Sequence, residues 1–325
     1  MGDSLKLKLE HRVLCGIVPA MRAPSALTKL GETPRDDAKP STAGFLNWVS
    51  RTADELNHRW LGGDFTQRFE EIERRHQDDP FGLDSRTLYS ASRLCALLHR
   101  FYFRTEIHGI DNVPDGRVIV VANHSGQIPI DAAILGCALF FDAQQPRLIR
   151  AMVDRWVANV PFVSTFFSKI GSIIGNRDAA VKLLNDEEAL LVFPEGIRGI
   201  SKPFTRRYQL QPFGHGFLRI ALETNSPILP VAVIGAEEQY INLGNSEFVA
   251  RALKMPVYPL IPQMIVPFGQ LPLPTKYRLY FGEPLRFRGS ADADSAEISE
   301  KVHVVQKAIQ DLMNLGLRRR RGVFT

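Results

Sequence analysis

The chain has 325 residues, enough for one large domain or for a domain with an extension. It is 45% hydrophobic and 23% charged, an ordinary globular composition, and no run reaches the roughly 18 apolar residues of a membrane-spanning helix. The net charge of +5 favours an anionic partner: a phosphorylated small molecule, coenzyme A, an anionic lipid head group or nucleic acid. Three cysteines form neither a zinc pattern nor a disulfide framework, which indicates a reducing compartment.

The first 104 residues divide into an irregular tail and a helical extension. Residues 1–42 contain several prolines and scattered charge, which predicts a tail. Apolar residues recur at helical spacing over 45–61 and 85–103, so residues 43–104 are predicted to form a helical extension. Two interpretations of these helices are open: they pack against the core, or they lie on a membrane surface.

From residue 105 onward, apolar runs alternate with helical patterns. Strands are predicted over 105–108, 117–122, 148–153, 172–174, 189–193, 228–234 and 277–281, and helices over 131–141, 161–170, 178–186 and 213–224. This alternation predicts an α/β fold over 105–290, with a mixed, mostly parallel sheet flanked by helices. Pro230 lies inside one predicted strand and indicates that this strand is an edge or carries a bulge.

The remaining segments have weaker patterns. Residues 240–276 are rich in proline and apolar residues, which predicts a structured loop or surface insertion without a regular element. Residues 291–325 are predicted to form a C-terminal helix, over about 296–315, followed by a basic tail. The basic run 318–321 is either a solvated tail or a contact with anionic lipid.

Two polar turns that follow buried strands carry the candidate chemistry. One apolar run breaks after residue 122 into a turn that carries His124, and Asp131 lies at the start of the next helix. A second run breaks after residue 193 into a turn that carries Glu195, Gly196 and Arg198. Because the carboxyl ends of parallel strands meet at one edge of a sheet, both turns are expected to open into one groove.

A third turn adds a second arginine near the same edge. A short apolar run ends in Arg177, whose guanidinium, together with that of Arg198, suits a phosphate ligand. Gly196 allows backbone amides to approach such a ligand closely. Structural interpretations stay open as well: His124 as a histidine satisfied at a strand end, and Arg177 as one half of an ion pair.

Four segments, in order, resemble the motifs of the glycerolipid acyltransferase superfamily, which includes lysophosphatidic acid acyltransferases and relatives of diacylglycerol acyltransferases. The segments are 123–131, with Asn, His and a spaced Asp; 171–177, ending in Arg; 193–199, Phe-Pro-Glu-Gly-Ile-Arg-Gly; and 227–235, an apolar strand with proline. The family usually has four residues between its His and Asp, whereas six separate His124 from Asp131, as in the diacylglycerol-acyltransferase-like branch. In the third segment Ile197 and Gly199 replace the family's Thr and Ser.

The resemblance implies an O-acyltransferase. It would move a fatty acyl group from acyl-CoA or acyl carrier protein to a hydroxyl of a glycerolipid such as lysophosphatidic acid. His124 would be the general base, and Asp131 would hold the other ring nitrogen. The acceptor would be bound by Arg177, Glu195, Gly196 and Arg198. No metal and no cofactor are expected, since the acyl donor is a co-substrate.

A membrane surface, a glycerolipid acceptor and an acyl donor are the expected partners. The absence of a spanning helix, together with the apolar helices predicted near 45–61 and 85–103, predicts peripheral attachment to the cytoplasmic side of a membrane and no transmembrane helix. Nucleic acid is not expected, because the basic residues lack interleaved aromatic residues. The oligomeric state stays open. Two alternative functions are a lipid-binding protein of the same fold with little or no turnover, and an acyl-thioesterase that uses water as acceptor.

Overall fold

The computed structural model of this chain describes residues 64–125, 128–160, 162–252, 255–265, 269 and 271–325. The tail predicted over 1–42 and the helix predicted over 45–61 lie outside the described residues. Within the described ranges, no helix combines the length and the apolar character needed to cross a bilayer.

Seven strands of the described chain form a single sheet. They are β1 (Glu106–His108), β2 (Val118–Ala122), β3 (Ile149–Val153), β4 (Ile173–Ile174), β5 (Ala189–Val192), β6 (Ile228–Ile234) and β7 (Arg278–Phe281). Their order across the sheet is β1-β7-β6-β2-β5-β3-β4. All neighbours run parallel except β6 and β7, which are antiparallel. The predicted mixed, mostly parallel sheet is therefore confirmed.

Helices cover both faces of this sheet. Those described are α1 (Asp64–Arg75), α2 (Ser85–Leu97), α3 (Ile130–Phe141), α4 (Val163–Lys169), α5 (Arg177–Asn185), α6 (Ile197–Ile200), α7 (Gly216–Thr224), α8 (Glu247–Ala252) and α9 (Ser295–Arg319). Alternate residues of the central strand β2 face opposite layers. Val118 and Val120 join the core cluster that contains α3, whereas Ile119 and Val121 join the cluster that contains α5, α7 and α9. Burial on both faces explains why β2 is an unbroken apolar run.

The helical extension packs on the outside of α3. Phe65 and Phe69 of α1 share a buried cluster with Leu88 of α2 and Phe140 of α3. The predicted helix over 85–103 is α-helical only to Leu97 and then continues as a π-helical turn, Leu98–Tyr102. The core-packing interpretation thus accounts for one face of α2, while its other face remains exposed.

Pro230 lies in a central strand, so the prediction of an edge strand is wrong. β6 pairs with β2 on one side and with β7 on the other. The prolyl nitrogen falls where the pairing between β6 and β7 changes register. Val231 faces Phe281, but Ile228 faces Leu285, so two residues of β6, 229 and 230, oppose three, 282–284. The extra residue lies in the facing segment 282–284 and not in β6, and the missing amide donor of Pro230 falls at this change of register.

Two predictions for the C-terminal part need correction. The segment 240–276 contains a short helix, α8, whose amide at Val249 is capped by the Ser246 hydroxyl, and a 3₁₀ turn, Pro262–Ile265. The predicted C-terminal helix extends through α9 to Arg319, so the basic run begins inside a helix. Both carboxylate oxygens of Glu238 accept hydrogen bonds from Arg320, at 2.8 and 2.7 Å, so this arginine is not part of a solvated tail.

Candidate active site

The site begins where β2 ends. Asn123 is fully buried, and its side chain pairs with the backbone of Val233 on β6. The Asn123 Nδ2 donates to the Val233 carbonyl at 2.9 Å, and its Oδ1 accepts from the Val233 amide at 2.7 Å. The amide side chain thereby continues the hydrogen bonding of the sheet by one residue pair while the backbone turns away. These two hydrogen bonds fix the direction in which the next residue, His124, leaves the sheet.

His124 and Asp131 form a hydrogen-bonded pair. The ring Nδ1 lies 2.8 Å from the Asp131 Oδ2, and the exposed fractions of the two side chains are 15% and 0%. The same carboxylate accepts hydrogen bonds from the amides of Ser125, at 3.0 Å, and Ala132, at 2.8 Å. A carboxylate that already accepts these bonds directs the ring proton to Nδ1. Nε2 is then the basic nitrogen, and within the described part of the chain no hydrogen-bond partner of Nε2 is found.

The spacing of six residues still places the carboxylate against the ring. α3 begins at Ile130, so Asp131 lies in the first helical turn, where the helix dipole favours a negative charge. The ring of His124 also stacks on that of Phe193, with centroids 4.2 Å apart and planes inclined by 17°. The imidazole is therefore held at its face and at Nδ1, and the longer spacing has no effect on the pairing.

Glu195 holds the backbone of His124. Its Oε1 accepts from the His124 amide at 3.0 Å, and its Oε2 accepts from the Gln211 amide at 2.7 Å. The residue is only 2% exposed. Both carboxylate oxygens are thus occupied by internal contacts, which gives Glu195 a positioning role. Its contact with an acceptor stays a prediction.

Two glycines shape the turn after β5. Gly196 has φ of +55°, which a residue with a side chain rarely adopts, and a Cβ there would meet nothing within 4 Å. Its backbone is therefore open to an approaching ligand. Gly199 is instead crowded, because a Cβ would lie 3.1 Å from the His124 carbonyl oxygen and 3.2 Å from the His124 Cβ. A side chain at this position would therefore press on the backbone of His124.

The two predicted phosphate-binding arginines lie at the surface. Arg177 begins α5 and pairs with Glu223 of α7 at 2.7 Å, with both side chains more than one third exposed. This contact matches the ion-pair interpretation that the sequence left open. Arg198 lies in α6 and is exposed, three residues beyond Glu195. Binding of an acceptor phosphate by either arginine stays a prediction.

Sequence reasoning missed a buried charge cluster beside this site. The Lys202 ammonium lies 3.6 Å from Glu195 and 3.1 Å from Glu237, and the exposed fraction of each of the three side chains is below 5%. Burial raises the pKa of Glu237 above its usual range, although Lys202 opposes this shift. Lys202 and Glu237 also line a small open pocket, which includes Ser125 next to the histidine. Neither residue belongs to a local motif, so only the folded chain reveals the cluster.

Comparison with known proteins places these features in a family. Residues 104–234 match the Acyltransferase family. An uncharacterised protein of Mycobacterium tuberculosis is 36% identical over 256 residues, covering 76% of this chain and 71% of that protein. An uncharacterised protein of Mycobacterium leprae is 35% identical over 284 residues, covering 85% and 74%.

More distant similarities extend the comparison. A human protein described as a DGAT1/2-independent enzyme synthesizing storage lipids is 26% identical over 209 residues, 63% of this chain and 60% of that protein. The crystal structure of the 1-acyl-sn-glycerophosphate acyltransferase PlsC from Thermotoga maritima has 18% identity and a TM-score of 0.45, covering 86% of this chain and 97% of PlsC. The protein is an acyltransferase of lipid metabolism. It belongs to the glycerolipid acyltransferase superfamily.

Proposed function

We propose that this protein transfers a fatty acyl group from acyl-CoA or acyl carrier protein to a hydroxyl of a glycerolipid such as lysophosphatidic acid. One observation carries the proposal: the buried Asp131 carboxylate binds Nδ1 of His124 at 2.8 Å and leaves Nε2 basic at the partly exposed end of the ring. An imidazole held in this arrangement is suited to take a proton from a hydroxyl at Nε2.

The proposed reaction is a direct transfer. The His124 Nε2 takes the proton of the acceptor hydroxyl as its oxygen attacks the thioester carbonyl carbon. The carbon–sulfur bond then breaks, and the imidazolium returns the proton to the leaving thiolate. Asp131 stabilises the imidazolium through Nδ1, as the carboxylate does in hydrolase triads. Glu195 contributes by holding the backbone of His124 in place.

The acceptor would be held at the turn after β5. The open backbone of Gly196 and the exposed guanidinium of Arg198 are the groups available there. Arg177 would join them by exchanging its exposed ion pair with Glu223 for a phosphate. Such an exchange is favourable, because an exposed ion pair contributes only about 0–1 kcal/mol.

Peripheral attachment to a membrane is part of the proposal. α2 and the following π-helical turn expose Leu94, Leu97 and Phe101 at steps of three and four, which places them on one side of the helix. The same segment contains three arginines spaced seven residues apart, Arg86, Arg93 and Arg100. It contains no acidic residue. An apolar stripe beside arginines suits the anionic cytoplasmic leaflet. Phe162, just before α4, and Phe166, within α4, are exposed as well.

The activity is tested with the purified full chain, acyl-CoA and a panel of acceptors that compares lysophosphatidic acid with mono- and diacylglycerol. Acceptor-dependent release of free coenzyme A, with an acylated product, supports the proposal. His124→Ala should lower that rate by about 10²–10⁴-fold. Release that no acceptor stimulates would identify a thioesterase. Near-normal transfer by folded His124→Ala protein would exclude the general-base role.

A further inference from the structure

Lys202 is the only cation within 4 Å of two buried carboxylates in the described part of the site. Glu195 reaches it from the turn after β5, at 3.6 Å, and Glu237 from the turn after β6, at 3.1 Å. The Lys202 ammonium also donates to the Gln209 carbonyl at 3.2 Å. The neighbouring Glu238 is paired separately, with Arg320 at 2.7 Å and with Arg207 at 3.9 Å.

Backbone amides donate hydrogen bonds to both carboxylates, Glu195 and Glu237. Glu195 accepts from the amides of His124 and Gln211, and Glu237 accepts from the amide of Tyr208 at 2.9 Å. Two negative charges in a buried cluster repel each other strongly unless a cation lies between them. Without that cation the two carboxylates would repel each other, and a displaced Glu195 would loosen its hydrogen bonds with the amides of His124 and Gln211.

We propose that Lys202 is a positioning residue for acyl transfer: its ammonium neutralises Glu195 and Glu237 together, so that Glu195 holds the backbone of His124. This inference rests on the proposed function of the His124 and Asp131 pair. Lys202 acts through Glu195 and is not itself a catalytic residue. No other described element joins the turns after β5 and β6 through a buried charge beside this histidine.

Two variants separate charge from packing. Lys202→Met removes the ammonium and keeps a chain of similar length. Lys202→Met combined with Glu237→Gln also removes the second carboxylate, and the glutamine carbonyl still accepts from the Tyr208 amide. Lys307→Met is the matched control, because Lys307 forms an exposed ion pair with Asp311 on α9, far along the chain from the site.

The first measurement is the pair of steady-state constants kcat and KM for acyl transfer. Lys202→Met should lower kcat by about 10²-fold, the loss expected when a catalytic group is misplaced by about 1 Å. KM should change much less, because Lys202 acts on the position of His124 and not on substrate binding. The double variant should recover most of kcat, while Lys307→Met should match the parent protein.

The second measurement does not depend on activity. Amide hydrogen exchange at His124 and Gln211 should be faster in Lys202→Met and slower again in the double variant, whereas exchange at Val233, held by Asn123, should not change.

Unchanged kcat and exchange in folded Lys202→Met would overturn the inference. A double variant that stays inactive, or that does not fold, would overturn it too, because neutralising the cluster would then be insufficient. A parent protein without acyl transfer contradicts the proposed function instead, and the exchange measurement still decides the role of Lys202.

Discussion

The Asp131 carboxylate lies 2.8 Å from the Nδ1 of His124, although six residues separate them in the chain. The two residues meet because His124 lies near the start of the turn after β2 and Asp131 lies in the first turn of α3. Backbone amides of Ser125 and Ala132 hold the carboxylate in this position. The pair therefore depends on the strand-to-helix geometry and not on the length of the intervening loop.

Replacing Asp131 with asparagine should impair the reaction while leaving the site assembled. The asparagine side chain has nearly the same shape but cannot stabilise an imidazolium, and its amide can favour the wrong ring tautomer. We expect kcat to fall by about 10²–10⁴-fold with a small change in KM. Steady-state release of coenzyme A at saturating acceptor measures this, and thermal unfolding confirms that the variant is folded. A kcat within a few-fold of the parent value would show that the carboxylate has no role in the proton transfer.

The motif residues were predictable because each follows a buried strand. Parallel strands end at one edge of the sheet, so the sequence alone predicted that the turns of His124 and Glu195 would meet. The sequence did not reveal that both Glu195 oxygens would be occupied by backbone amides, since the amide of Gln211 comes from a distant loop. Lys202 and Glu237 escaped prediction for the same reason: they lie 35 positions apart, and only the pairing of β2 with β5 and β6 brings their turns together.

Gly199→Ala should disturb the histidine more than it disturbs the fold. The added Cβ would lie 3.0 Å from the Glu195 Cβ and 3.1 Å from the His124 carbonyl oxygen, so one of these groups must shift. The shift needed is a few tenths of an ångström, so kcat should fall by less than the about 10²-fold that a misplacement of about 1 Å causes. The control is Gly216→Ala, where a Cβ meets nothing within 4 Å and the site chemistry is untouched. Equal kcat values for the two variants would contradict the tight contact at Gly199.

The bounds of the strands were predicted to within one residue. The predictions that failed concern residues whose role depends on a partner distant in the sequence. Pro230 indicated an edge because it lacks an amide donor, yet the change of register beside Gly282 removes the need for one. The basic run was interpreted as a tail or a lipid contact, yet Glu238 binds Arg320. In both cases a partner distant in sequence satisfies the group, and no local pattern reveals such a partner.

The ion pair between Asp79 and Arg150 should make a large contribution to stability. The side chains are 6% and 0% exposed, and the Arg150 Nη1 donates to the Asp79 Oδ2 at 2.6 Å. Asp79→Asn leaves the guanidinium charge buried without its counter-ion, so the free energy of unfolding should fall by about 3–5 kcal/mol. Urea unfolding at neutral pH measures this change. Asp311→Asn, at an exposed pair, should change it by no more than about 1 kcal/mol.

The contribution of this pair should also depend on pH. Burial acts to raise the pKa of Asp79, but the Arg150 guanidinium and the amides of Leu83 and Phe81 together outweigh it and hold the pKa below its usual range. A carboxyl whose pKa is lower in the folded state stabilises the protein above its unfolded pKa, about 3.9, and this stabilisation is lost as the pH falls through the folded pKa. The difference between parent and Asp79→Asn should therefore be constant from neutral pH to about pH 5 and shrink in acid. A difference that grows in acid would contradict the assignment.

The exposed side of α2 should carry the protein onto anionic membranes. Leu94 is 61% exposed and Phe101 is 47% exposed, and inserting each into a bilayer is worth about 1.5–3 kcal/mol. The double variant Leu94→Ser and Phe101→Ser should therefore weaken binding to phosphatidylserine vesicles by at least about tenfold.

Phe248→Ser is the matched control, because Phe248 is 80% exposed on α8, outside this stripe. Vesicle flotation at low and high salt measures both effects, and raised salt should weaken binding of the parent protein through its arginines. Equal binding of both variants, or no flotation of the parent with anionic vesicles at low salt, would show that this face of α2 is not the membrane contact.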